Sequence, residues 1–171
     1  STGLVGSEMC IRDRYISVPF FPSLNGKELS YIMDYGDVDA LFIGKIETWD
    51  DIKNDLPSEM PIIRFPKYEG CSNVTKGHEW HEFINSHEPI ENPNKPKLSD
   101  LWTIIFTSGT TGNPKGVMLT YQAIDGIKVV LDDPNNPLGI KHTGNNDFIS
   151  YLPLNHIFER VVIEWCSFRY G

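Results

Sequence analysis

Ten consecutive residues, TSGTTGNPKG at 107–116, combine three glycines, four hydroxyls and one lysine directly after an apolar run. Glycines let backbone N–H groups converge on an anion, hydroxyls donate hydrogen bonds without adding charge, and Lys115 supplies a positive charge. That combination is phosphate chemistry. It is not a Walker A loop, GxxxxGK[ST], because Lys115 lies three residues after Gly112 and is followed by Gly116. The plain alternative is a flexible Ser/Thr/Gly turn.

The elements around the loop are those expected to present it. LWTIIFT at 101–107 is dense in apolar and β-branched residues, as in a strand covered on both faces. Residues 117–120 read as a second short strand, and Thr120 caps a helix running to Leu131. A polar, Pro- and Gly-rich loop at 132–146 follows. Residues 148–152 read as a further strand ended by Pro153, and HIFERVVIEW at 156–165 starts a helix.

Earlier in the chain, residues 15–21 are extended and Asn25-Gly26 gives a turn. Leu29, Ile32 and Met33 then mark one face of a helix to Tyr35, and residues 40–43 form a buried strand. Thr48, followed by Trp49, Asp50 and Asp51, reads as a helix start in which the threonine oxygen accepts backbone N–H bonds. A strand at 62–65 and a helix at 77–86 precede 87–100, whose three prolines mark a linker or long surface loop. The alternation of extended and helical segments predicts an α/β fold, with mixed or largely parallel sheets and crossover helices.

The 171 residues suffice for about one domain. A formal charge of −8, with no basic stripe, argues against a nucleic-acid partner but says nothing about ATP. Cys10, Cys71 and Cys166 are odd in number and form no CxxC pair, which suits a reducing compartment. No apolar run reaches the ~18 residues of a membrane span. The expectation is a cytoplasmic protein whose membrane contact, if any, is peripheral. The start at Ser1 and the stop after an apolar stretch read as cut ends, and residues 1–14 as a non-native leader before a partial domain at 15–171.

The whole string at 107–116 resembles the phosphate-binding motif of the adenylate-forming (AMP-binding) superfamily. YLPLNHIFERV at 151–161 is similar to the motif that follows it in long-chain acyl-CoA synthetases, and residues 18–44 resemble the segment that precedes it there. The resemblance implies an incomplete part of the large N-terminal domain of that fold. It also implies a long-chain fatty acid–CoA ligase that uses ATP, Mg²⁺ and CoA. Thr107, Ser108, Gly109, Thr110, Thr111, Gly112, Lys115 and Gly116 would hold the nucleotide, with Thr107 also the metal contact. Lys115 and His156 are the candidate catalytic residues, and His156 and Phe158 the candidate substrate contacts. The plain reading of the latter two is a helix start with His156 capping and Phe158 in the core.

Asn155 stands where the family has a small residue before the histidine, and the family's later motifs are absent from these 171 residues. The chain by itself is therefore expected to be inactive. The alternatives are an aryl or amino acid ligase of the same superfamily, or a non-catalytic nucleotide- or acyl-binding truncation. Glu159 and Arg160 are adjacent and read either as shaping a pocket mouth or as solvated charges, and Trp165 reads as core. His78, Glu79 and His81 miss the HExxH spacing of a zinc site, and the sequon Asn73-Val74-Thr75 reads as an unmodified loop.

Overall fold

The computed structural model describes residues 15–44, 46, 48–66, 74–89, 91, 95–107, 113–141 and 146–170. They form two compact units, Phe20–Pro93 and a second made of Ser1–Pro19 with Asn94–Gly171. The division falls inside the proline-rich stretch at 87–100. No helix among the described residues is long and apolar enough to cross a membrane.

The unit at Phe20–Pro93 begins with helix α1, Gly26–Tyr35. Asn25 is more than a turn residue: its Oδ1 accepts from the Glu28 backbone N–H at 3.0 Å, and the Glu28 carboxylate accepts from the Asn25 N–H at 3.2 Å. This capping box satisfies two backbone donors that a helix start otherwise leaves unpaired. Leu29, Ile32 and Met33 are buried, as their spacing predicts. Strands β1 (Leu41–Ile43), β2 (Ile62–Arg64) and β3 (His78–Glu79) form a parallel sheet in that order. The short helix α2, Trp49–Ile52, lies in the connection from β1 to β2. Leu29, Met33, Leu41, Ile43, Trp49, Ile52, Leu56, Ile62 and Val74 make this unit's core.

Two expectations for this unit need correction. Thr48 precedes α2, but its hydroxyl makes no cap bond and is buried without a hydrogen-bond partner. The helix expected at 77–86 is instead strand β3 followed by helix α3, Trp80–Asn85. Gly77 has φ +96°, and a Cβ there would lie 2.3 Å from the Ile62 carbonyl oxygen. Only glycine permits this approach of backbone to β2, and it delivers His78 and Glu79 to pair with Ile63 and Arg64. Glu79 then caps α3, its carboxylate accepting from the His81 and Glu82 N–H groups.

The other unit is built on an antiparallel hairpin of β4, Leu101–Thr107, and β5, Lys115–Thr120. In β4 Trp102, Thr103, Ile105 and Phe106 are all buried, so both faces are covered. The register shifts between Leu101 and Thr103, a bulge that leaves Trp102 without a partner of its own and buries it beside Thr103. Ser17 of the expected extended run bridges Thr103 in parallel, and the Thr103 hydroxyl donates to its carbonyl at 2.7 Å. Helix α4, Tyr121–Leu131, follows β5 directly and buries Ile124 and Leu131, seven residues apart on one face. Its start at Thr120 is as expected, but the threonine side chain makes no cap bond.

Residues 148–152 are not a strand. No described strand pairs with them, and Ile149 and Tyr151 are 79% and 74% exposed. Alternating apolar residues need a neighbouring edge before they make a ladder. The final helix spans 157–170. It contains a π-helical segment, Glu159–Glu164, that passes into α5, Trp165–Tyr170.

Candidate functional site

The glycine- and hydroxyl-rich loop connects two paired strands. Thr107, the last residue of β4, pairs with Lys115, the first of β5. Opposed residues in an antiparallel ladder point to the same face, so the hydroxyl and the ammonium leave the hairpin together. Both side chains are exposed, and the Thr107 hydroxyl donates to the Lys115 carbonyl at 3.4 Å. Lys115 and Gly116 thus belong to the strand, two residues before the expected start of β5. Gly116 faces Phe106, and a Cβ on it would lie 3.0 Å from Ile104 Cγ2 and 3.3 Å from Phe106 Cζ. Its role in the described structure is close packing at the root of the loop. Ser108, Gly109, Thr110, Thr111 and Gly112 lie outside the described residues.

His156 and Phe158 sit at the opening of the last helix. A turn at 153–156 is closed by the His156 N–H donating to the Pro153 carbonyl at 2.8 Å. The His156 Nδ1 accepts from the Phe158 N–H at 3.3 Å, so the imidazole caps the helix start. His156 is exposed, and Ile157 and Phe158 are 43% and 42% exposed. The histidine cap is therefore realised, whereas Phe158 is not a core residue. Ile157 and Phe158 both expose apolar side chains at the start of this helix.

Glu159 and Arg160 are not solvated charges: each is 1% exposed. The Glu159 carboxylate accepts from the Leu152 N–H at 3.3 Å. Arg160 Nη1 lies 3.4 Å from Glu164 Oε2, and its guanidinium stacks 5.0 Å from the centre of the Trp102 ring. A pair at i and i+4 was readable from sequence spacing, but the adjacency of Glu159 and Arg160 obscured it. The π-helical turn widens the helix and turns Glu159, Arg160, Val161 and Glu164 all inward. Asn155, one residue before His156, is 2% exposed, and neither amide atom has a hydrogen-bond partner. Trp165 is half-buried and packs on the cores around Trp102 and Leu131.

The remaining chemistry-bearing residues are structural. His78 lies in β3 and Glu79 caps α3, and no group of three His, Cys, Asp or Glu among the described residues could hold a metal ion. Of the sequon, Asn73 lies outside the described residues and Val74 is core. Cys166 is a buried free thiol, pushed up to about 11 by desolvation.

The AMP-binding enzyme family matches residues 10–171, a span that includes the hairpin, its loop and the His156 turn. The chain belongs to this family. Long chain acyl-CoA synthetase 1 of Arabidopsis thaliana is 28% identical to it over 98% of this chain and 27% of its own length. Long chain acyl-CoA synthetase 5 of the same plant is 32% identical over the same shares. The chain therefore spans about a quarter of these curated relatives. Among solved structures, a natural red-emitting luciferase from Phrixothrix hirtus superposes with a TM-score of 0.78 at 16% identity, covering 100% of this chain and 33% of the luciferase. The fold of the AMP-binding chain is thus the mixed α/β arrangement shared with adenylate-forming enzymes, a parallel sheet in one unit and an antiparallel hairpin in the other.

Proposed function

We propose that the protein containing this chain is an ATP-dependent acid–thiol ligase acting on long-chain fatty acids. The observation that carries the reading is the Thr107–Lys115 pair closing the TSGTTGNPKG loop inside a span matched to AMP-binding enzymes. The likeness to long chain acyl-CoA synthetases supports the fatty substrate. In the first step a carboxylate oxygen attacks the α-phosphorus of ATP; a P–O bond forms and the bond to pyrophosphate breaks. In the second, the CoA thiolate attacks the acyl carbon and AMP leaves.

Lys115 would neutralise charge on the departing pyrophosphate from a backbone that the hairpin fixes. His156 would present an imidazole and Phe158 an exposed ring at the start of the same helix, a combination suited to a carboxylate on an alkyl chain. Thr107 would offer Mg²⁺ one neutral oxygen. That fits an ion which takes its other ligands from water and phosphates, and which supplies charge neutralisation on the nucleotide. No residue described here is assigned to the thiol step.

The test is fatty-acid-dependent exchange of labelled pyrophosphate into ATP by the full-length protein, with and without Lys115→Ala. Lys115 is an exposed strand residue, so its removal should change stability by no more than about 0.5 kcal/mol. Exchange should fall about 10²- to 10³-fold, the usual effect of deleting one charge-stabilising donor. Unchanged exchange in that variant would remove Lys115 from this role.

A further inference from the structure

We propose that Arg160 is a positioning residue, fixing the start of the helix at 157–170 against β4. The inference rests on the adenylation reading, since it concerns how that reaction's groups are aligned. Three contacts carry it. The guanidinium stacks 5.0 Å over Trp102, within the range of a cation–π contact. Its Nη1 meets Glu164 Oε2 at 3.4 Å, both side chains being buried. The Arg160 backbone N–H donates to the His156 carbonyl at 3.1 Å, one helical turn away.

Trp102 and Thr107 lie on the same strand, Trp102 at the bulge and Thr107 at the mouth of the loop. His156 lies in the turn that leads into the helix carrying Arg160. One stacked contact therefore links the element carrying the phosphate loop to the element carrying the imidazole. Glu159 secures the approach to the turn by accepting from the Leu152 N–H. The turn at 153–156 is thus held on both sides, through Leu152 and through His156.

Apolar residues at both Arg160 and Glu164 would fill the space without the desolvation that two buried charges incur. What they would lack is direction. A planar cation on an indole face, tethered to one carboxylate, has few arrangements, and lysine as a point charge cannot reproduce the stack. Val161, packed with Trp102 and Ile124, supplies the apolar support on which that orientation acts.

The experiment compares Arg160→Met, Arg160→Lys, Trp102→Leu and the Arg160→Met/Trp102→Leu double variant in the full-length protein. It reads kcat and KM for fatty acid and ATP in pyrophosphate exchange, together with the melting temperature. Arg160→Met should melt lower than the parent, because it removes one member of a buried ion pair and leaves the Glu164 carboxylate in place, so the split between kcat and KM rather than the melting temperature reads the positioning role. Its kcat should fall by about 10- to 100-fold, the scale of an ångström-level misalignment, with the KM for ATP little changed. Arg160→Lys should recover part of the loss, and the double variant should be no worse than Trp102→Leu. Should Arg160→Met fail to fold, Arg160→Lys against Trp102→Leu carries the same comparison.

A kcat within about twofold of the parent for Arg160→Met, or losses that multiply in the double variant, overturns the positioning role while leaving the ligase reading intact. A parent protein that shows no fatty-acid-dependent exchange overturns both.

Discussion

Asn155→Leu should make this chain more stable. Asn155 is 2% exposed, and neither Nδ2 nor Oδ1 has a hydrogen-bond partner. A buried donor or acceptor left unpaired costs about 1–3 kcal/mol, and the amide carries both. Leucine has the same branching and the same number of side-chain heavy atoms, so it can occupy this space at a repacking cost below about 1.5 kcal/mol. The expected net gain is about 1–3 kcal/mol. For a chain of this size each kcal/mol moves the melting temperature by about 2–4 °C, giving a rise of about 2–12 °C. Asn155→Ala removes the same unpaired atoms but leaves a space, and should fall between the parent and the leucine variant. Thermal unfolding followed by circular dichroism, checked by urea titration at constant m, measures both. A leucine variant less stable than the parent by 1 kcal/mol or more would refute the reasoning, because it would show that the amide is hydrogen-bonded in solution.

Gly77→Ala should destabilise its unit by about 2–4 kcal/mol, combining a φ of +96° with a Cβ 2.3 Å from a strand carbonyl; protease susceptibility of 78–85 would rise with it. Cys166 should stay unmodified by iodoacetamide at pH 8 in the native chain and react after unfolding, since it is fully buried and its thiol titrates at about 11. Native labelling at the rate of a free thiol would contradict that placement. The Tyr170 hydroxyl donates to Asp132, and with the Arg169 charge nearby it holds the Asp132 carboxyl below the usual carboxylate range. The stabilisation is then fully present above about pH 4 and is lost as the pH falls through the lower native value. Asp132→Asn should remove that part of the acid dependence of melting, leaving the neutral-pH midpoint lower than the parent's.

The parts of the fold that local chemistry dictates were legible. Leu29, Ile32 and Met33 announce a buried helical face, and the apolar run at 101–107 announces β4. The N-x-x-E signal at Asn25 and Glu28 was equally local and would have identified the helix cap. What escaped depends on partners distant in sequence. Gly77 reads as a helix start until β2 is seen to press against it. Trp102 disturbs the alternation of β4 because of a bulge set by pairing with β5. Residues 148–152 are apolar enough to read as a strand but have no described edge to join. Arg160 reads as either a pocket-mouth residue or a solvated charge because nothing within a few residues predicts that Trp102, fifty-eight positions earlier, will take its guanidinium.

These differences bear on how the candidate site divides its work. Lys115 is rooted in a paired strand but ends in a flexible four-carbon stem, so the hairpin fixes where its charge originates and leaves the phosphate to draw the ammonium into place. A group that moves to its ligand stabilises charge wherever the ligand presents it, but it cannot orient a second reactant. In the proposed reaction His156 and Phe158 would face the opposite requirement, because a carboxylate must approach phosphorus along one line and small misplacements are costly. Their backbone is accordingly held by the most constrained contacts described here: the Pro153–His156 turn, the Glu159 carboxylate on Leu152, and Arg160 stacked on Trp102. Among the described residues, buried charge is therefore concentrated at Glu159, Arg160 and Glu164 of the last helix and is absent from β4 and β5. A variant that shortens the stem, such as Lys115→Ala, should forfeit charge stabilisation alone, whereas one that frees the helix start should disturb alignment while leaving ATP affinity in place.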